Sequence, residues 1–110
     1  MLEITRGNTD DWEVAIDDYV YTFGDVMTFV MKEQPKRTMP AVLSKELEYD
    51  STDQVFRLHF DPEDTAELEC YPDMEYWFDI AIELNDGRFY TVVSADRMRI
   101  MPANAEKPAQ

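Results

Sequence analysis

The sequence predicts an all-β domain, a two-sheet antiparallel sandwich of about seven strands with one short helix. Three features predict it. Runs in which apolar and polar residues alternate with a period of two recur along the 110 residues, the spacing that turns one strand face to a core and the other to water. Turn-forming clusters separate these runs at roughly regular intervals. One segment, DPEDTAEL, carries helix-start chemistry. At this length the chain is one domain, read as residues 1–101, with a disordered tail over 102–110.

Leu2 and Ile4 precede the breaker Arg6-Gly7-Asn8, and Trp12, Val14 and Ile16 then alternate with Glu13, Ala15 and Asp17. Two half-buried strands follow from that pattern. After the turn Thr22-Phe23-Gly24-Asp25, VMTFVMKE places Met27, Phe29 and Met31 on one face and Val26, Thr28 and Val30 on the other. Both faces are largely apolar, as in a central strand. EQPKRTMPA holds two prolines, which cannot donate to a strand ladder, and reads as a loop. A fourth strand lies within LSKELEYD, Ser51-Thr52-Asp53 ends it, and VFRLHF sets Phe56, Leu58 and Phe60 opposite Val55, Arg57 and His59.

In DPEDTAEL, Asp61 can cap, Pro62 fits the first helical position, and Glu63 and Asp64 sit where the helix dipole favours negative charge. In MEYWFDIAIEL, Met74, Tyr76, Phe78, Ile80, Ile82 and Leu84 form one apolar face, with Glu75, Trp77, Asp79, Ala81 and Glu83 opposite. Asn85-Asp86-Gly87 closes a hairpin in one of two registers. A two-residue Asp-Gly turn puts Phe89, Thr91 and Val93 on the face of Ile80 and Ile82; a three-residue turn with Gly87 in a bulge puts Tyr90 and Val92 there. The first is preferred. DRMRIM then forms a separate last strand. Phe29, Phe56, Leu58, Tyr76, Phe78, Ile80 and Ile82 are the expected core. The architecture is immunoglobulin-like in shape, without the disulfide and tryptophan pattern of antibody domains, and an open barrel is the competing arrangement.

Twenty-four acidic residues against 10 basic give a net charge of −14, while 45% apolar and 13% aromatic content keeps the chain in the globular class. That charge argues against direct binding to nucleic acid or anionic membranes, since phosphate contacts need Lys and Arg. The acidic N-terminus lacks the basic and apolar blocks of a signal peptide, and no stretch has membrane-spanning length. A cytoplasmic origin is the resulting expectation. Cys70 is the only cysteine, which excludes an internal disulfide or a thiolate zinc cluster and reads as a small buried apolar residue.

Asp61, Glu63, Asp64 and Glu67 lack the glycine and spacing of a calcium loop. Glu75, Asp79 and Glu83 stand about 13 Å apart along a strand, too far to share an ion, and read as a solvated face. Asp10-Asp11 and Asp17-Asp18 add carboxylates without a recognisable ligand pattern. His59, the only histidine, falls on the face away from Leu58 and Phe60, and no Ser or Cys nucleophile has it as an identifiable partner. The expectation is no enzyme, no cofactor, no metal and no small-molecule substrate.

ITRGNT, FGDVMTFVMKEQP, VFRLHFDPEDTAEL and EYWFDIAIELNDGRFYTVVSADRMRI resemble, in order, the segments of the N-terminal immunoglobulin-like domain of phage baseplate upper proteins and of small related phage and prophage structural β-sandwich proteins. The likeness spans Ile4 to Met101 and is densest from Phe56 to Val93. The chain departs from it where glycines are common, at Tyr71-Pro72-Asp73 and Ala95-Asp96, so those turns should differ. The resemblance implies a virion or tail structural or connector role through protein–protein contacts. Partners would be other virion or tail proteins or a second copy of the chain, reached from the host cytoplasm in which it is made. It implies no catalytic residues. An acidic DNA mimic that inhibits a nucleic-acid-binding protein is the alternative, though its carboxylates would need to be spaced like phosphates over one surface.

In the Asp-Gly register, Trp77, Ala81, Tyr90 and Val92 lie together opposite the core, rimmed by Glu75, Asp79 and Glu83. Such a group is either an interface or a patch covered by the second sheet, the N-terminal arm or the EQPKRTMPA loop.

Overall fold

The computed structural model describes residues 2–68 and 75–101. Cys70, Met74, the Tyr71-Pro72-Asp73 turn and the tail after Met101 lie outside them. The elements are β1 (Leu2–Thr5), β2 (Asp10–Val14), β3 (Val26–Lys32), β4 (Leu43–Asp50), β5 (Val55–Phe60), α1 (Pro62–Ala66), β6 (Tyr76–Glu83) and β7 (Phe89–Met101). The all-β expectation holds. The seven strands follow one another in the order β1-β7-β6-β3-β4-β5-β2. All neighbours are antiparallel except β1 and β7, where Leu2 lies beside Met98 and Thr5 beside Met101 in parallel. The sheet is therefore mixed, not purely antiparallel.

β1 and β2 occupy opposite edges of this order, yet only Arg6 to Thr9 separate them. A flat sheet of seven strands would hold its edges about 29 Å apart, whereas five extended residue steps reach only about 18 Å. The sheet must therefore curl until its edges approach, and it is nearly closed into a barrel. Trp12 on the β2 edge accordingly packs across the interior on Phe29, Phe60 and Phe78, with ring centroids 5.7, 5.0 and 5.4 Å away. β4 makes the corner. Leu43–Leu47 pair with β3, and Glu48–Asp50 pair with β5.

The inward faces carry the core. All seven residues expected there are buried, joined by Ile4, Met27, Met31, Leu47, Met98 and Ile100. The short helix lies at one end of the barrel, after β5. The Asp64 carboxylate accepts the Asp61 N–H at 2.7 Å, and buried Thr65 accepts the Gly7 N–H at 2.8 Å. The first bond caps the helix, and the second ties α1 to the β1–β2 link.

Three expectations are corrected. The hairpin uses the three-residue turn: Gly87, at φ +93°, donates to the Leu84 carbonyl at 2.9 Å, and Leu84 donates to Arg88 at 2.7 Å. Asp86 stabilises that form by accepting from the Arg88 N–H and Nε at 3.0 and 2.8 Å. Tyr90 thus stands opposite Ile82, and Phe89, expected to be buried, is exposed opposite Glu83. Second, Phe89–Met101 is one strand, not two. It absorbs an extra residue at Val92 and another before Asp96, each of which reverses the phase of the faces beyond it. Third, Ala95-Asp96 is a bulge and not a turn between strands: Ala95 takes φ +47° and donates its N–H to Asp79 Oδ1.

Candidate interaction surface

The barrel end opposite α1 gathers the β2–β3 connection, the β4–β5 turn and the β6–β7 hairpin, and buried Asp25 holds two of these together. Its carboxylate accepts from Tyr19 Oη at 2.5 Å, the Thr22 N–H at 3.1 Å and the Asn85 N–H at 2.8 Å. Burial alone would raise the pKa of Asp25, but the bonds from Tyr19, Asn85 and Thr22 outweigh it and hold the group below the usual aspartate value. Burial and the Asp25 charge push the Tyr19 hydroxyl well above its ordinary range. Gly24, at φ +100°, approaches so closely that a Cβ there would meet the Asn85 Cβ at 3.1 Å. The end is therefore a fixed platform.

Large apolar side chains project from that platform. Phe23 is 90% exposed and Phe89 64%, with Val20, Tyr90 and Val26 also open to solvent. Val26 and Phe89 flank Glu83 on the outer face of the sheet, because Val26 and Glu83 are paired, as are Glu83 and Phe89. The Phe23 carbonyl accepts from Asn85 Nδ2 at 3.4 Å, which brings Phe23 to the same end. Sequence reasoning missed this set. A phenylalanine inside the glycine turn TFGD, outside any alternating run, was the available signal.

The four residues expected to group together do not share a face. Trp77 and Ala81 lie on the outer face of β6, whereas Tyr90 lies beside Ile82 and Val92 sits in the first bulge against the core. The β3–β4 loop stands beside Trp77. A hollow of about 280 Å³ there is lined by Lys32, Pro35, Arg37, Trp77 and Asp79, and Lys32 Nζ donates to the Lys36 and Arg37 carbonyls at 3.2 and 3.3 Å. The EQPKRTMPA loop and Trp77 thus border one hollow.

Charge on the outer face of β2 and β5 is locally paired. Arg57 engages Glu13, Asp53 and Asp50, the last at 3.0 Å, and its hydrogen bonds to Glu13 and Asp50 raise its pKa. The bond from Arg57 in turn lowers the pKa of Asp50. His59 Nδ1 lies 2.6 Å from Asp11 Oδ1, and Nε2 lies 3.0 Å from Asp61 Oδ1. The hydrogen bond with Asp11, supported by the charge of both carboxylates, raises the imidazole pKa. With a carboxylate beside each ring nitrogen, this histidine bridges β2 and the residue that follows β5, a clasp that strengthens on protonation.

Glu75, expected to be solvated, approaches Arg97 and Arg99, each at 3.7 Å. Lys45 turns inward toward the Phe60 ring and meets Asp64 at 2.5 Å. Among the described residues no group of three or more His, Cys, Asp or Glu is placed to hold a metal ion, and no helix is long and apolar enough to cross a membrane. No family model matches the sequence, and no curated protein is significantly similar to it.

Proposed function

We propose that this chain is a structural or connector protein of a phage or prophage particle, acting through protein–protein contacts. The observation that carries the reading is the barrel end where Phe23, Val26 and Phe89 stand in solvent on a mount fixed by Asp25. Backbone fixed before binding loses little entropy when covered, and large aromatics are frequent anchors. The rim of Glu83, Asp86 and Arg88 gives the polar border such contacts have.

The order of segments resembling baseplate upper-protein domains supports the phage assignment. The same proposal takes the fold as an immunoglobulin-like sandwich drawn nearly shut, with the partner switch of β4 marking the boundary between its two layers. The protein would be made in the host cytoplasm and meet other virion or tail proteins there.

Mass spectrometry of purified particles, with size exclusion after co-expression with neighbouring structural genes, tests this. Phe23→Ser combined with Phe89→Ser should leave the fold intact and weaken incorporation by about tenfold or more. Absence of the chain from particles and complexes, or full incorporation of the double variant, would sink the proposal.

A further inference from the structure

The curled sheet does not close completely. β1 covers only Met98–Met101 of β7, so among the described residues no strand lies beside the Phe89–Arg97 backbone edge on the side away from β6. Across the gap lies the free edge of β2, antiparallel to β7 by the succession of strand directions. Among the described residues no backbone hydrogen bond joins β2 to β7. Between the two edges is a cleft of about 570 Å³. Its floor is the core itself, through Trp12, Val14, Phe78, Ile80 and Val93, and Glu13 and Asp96 stand at its margin. Asp10 and Asp11 continue the acidic edge of β2.

We infer that this seam receives an extended segment of a partner protein, in which apolar residues alternate with Lys or Arg. The segment lies where β1 would run if it were longer. Three independent features specify it. Unpaired strand backbone supplies hydrogen bonds to any extended chain. The apolar floor accepts every second side chain, since successive side chains of a strand point to opposite faces. Glu13 already holds Arg57, but it shares that one guanidinium with Asp50 and Asp53, so the margin of Glu13 and Asp96 stays net negative and favours basic residues at the intervening positions. Acidic residues along β2 also keep unsuitable strands, including the β2 edge of a second copy, from pairing there. The cleft is lined by none of the exposed barrel-end residues, although the β7 edge beside it begins at Phe89, and the inference does not depend on the function proposed above.

Trp12 in the cleft gives a direct readout. In a Trp77→Phe background, whose barrel end is untouched, Trp12 is the remaining tryptophan. A short capped peptide alternating valine with lysine should shift its emission to shorter wavelength in a saturable way and slow amide exchange over Phe89–Arg97. The same peptide N-methylated at alternate residues, so that it cannot pair as a strand, should bind about tenfold more weakly or worse, as should a valine–glutamate peptide. Glu13→Gln with Asp96→Asn should weaken the lysine peptide and strengthen the glutamate one.

No emission change, equal binding of the N-methylated peptide, or indifference to the two charge substitutions would overturn the inference. So would sedimentation showing a dimer that the peptide dissociates, because a second copy would then occupy the seam.

Discussion

The backbone N–H of Asn85 donates to the carboxylate of Asp25 at 2.8 Å, across 60 positions of sequence. One side chain thereby fixes both the turn entering β3 and the hairpin leaving β6. Replacing Asp25 by Asn removes the charge that makes these bonds strong and should cost about 1 to 3 kcal/mol in chemical denaturation. The pH dependence follows from the lowered pKa. Asp25 stabilises the fold above its unfolded-state value of 3.8, and that contribution is lost as pH falls through the lower folded-state value. The stability gap between wild type and Asp25→Asn should be constant near neutrality and shrink below about pH 4. A gap that persists unchanged at lower pH would show that charge on Asp25 is not the cause.

His59 carries the opposite sign. Its pKa is raised in the folded state by the bond to Asp11 and by the charges of Asp11 and Asp61, so protonation favours folding. The contribution is fully present below the unfolded value of about 6.5 and is lost as pH rises through the raised folded value. Thermal unfolding of His59→Gln should therefore fall short of wild type in mild acid and match it in alkaline buffer. An NMR titration giving an imidazole pKa at or below that of a free histidine would remove the clasp.

Phe78 and Ile80 are each only 2% exposed and sit at the centre of the interior. Truncating either to Ala should cost about 2 to 5 kcal/mol in equilibrium unfolding, the range for buried cavities. A loss well below that range would mean the barrel collapses around the vacated space.

The net charge of −14 opposes a compact state through self-repulsion. Added monovalent salt should raise the melting temperature by screening it. Millimolar calcium should add almost nothing beyond its ionic strength, and a large saturable shift with calcium alone would revive a metal site.

β6 was legible because Tyr76, Phe78, Ile80 and Ile82 alternate without interruption, and their burial follows the pattern residue by residue. α1 was legible because Asp61, Pro62 and Asp64 specify a helix start within four positions. β7 was not. Its first bulge has apolar residues on both sides of the phase change, at Tyr90, Val92 and Val93, and its second falls in Ser94-Ala95-Asp96-Arg97, which has no apolar alternation to interrupt, so alternation locates neither. The hairpin register depended on Asp25 drawing the Asn85 N–H and on the bonds of Asp86 to Arg88. The first of these is a long-range contact with no local sequence signature. Exposed Phe23 was overlooked because a turn residue has no face to assign. The parallel pairing of β1 with β7 follows from curvature of the whole sheet, a property of no single segment.

That parallel pair sets a limit on when the protein can finish folding. Leu2 to Thr5 are the first described residues to leave the ribosome, and their neighbours Met98 to Met101 are the last. The β3–β4 and β4–β5 pairings close short loops and can form during synthesis. The β1–β7 pairing must wait until β7 has emerged, with Ile4 lacking its neighbour Ile100 in the meantime. Such non-local pairing places folding on the slow, millisecond-to-second side of small domains. Until then part of the apolar surface of the nascent chain stays open, and its strong negative charge keeps neighbouring nascent chains apart until β1 and β7 meet.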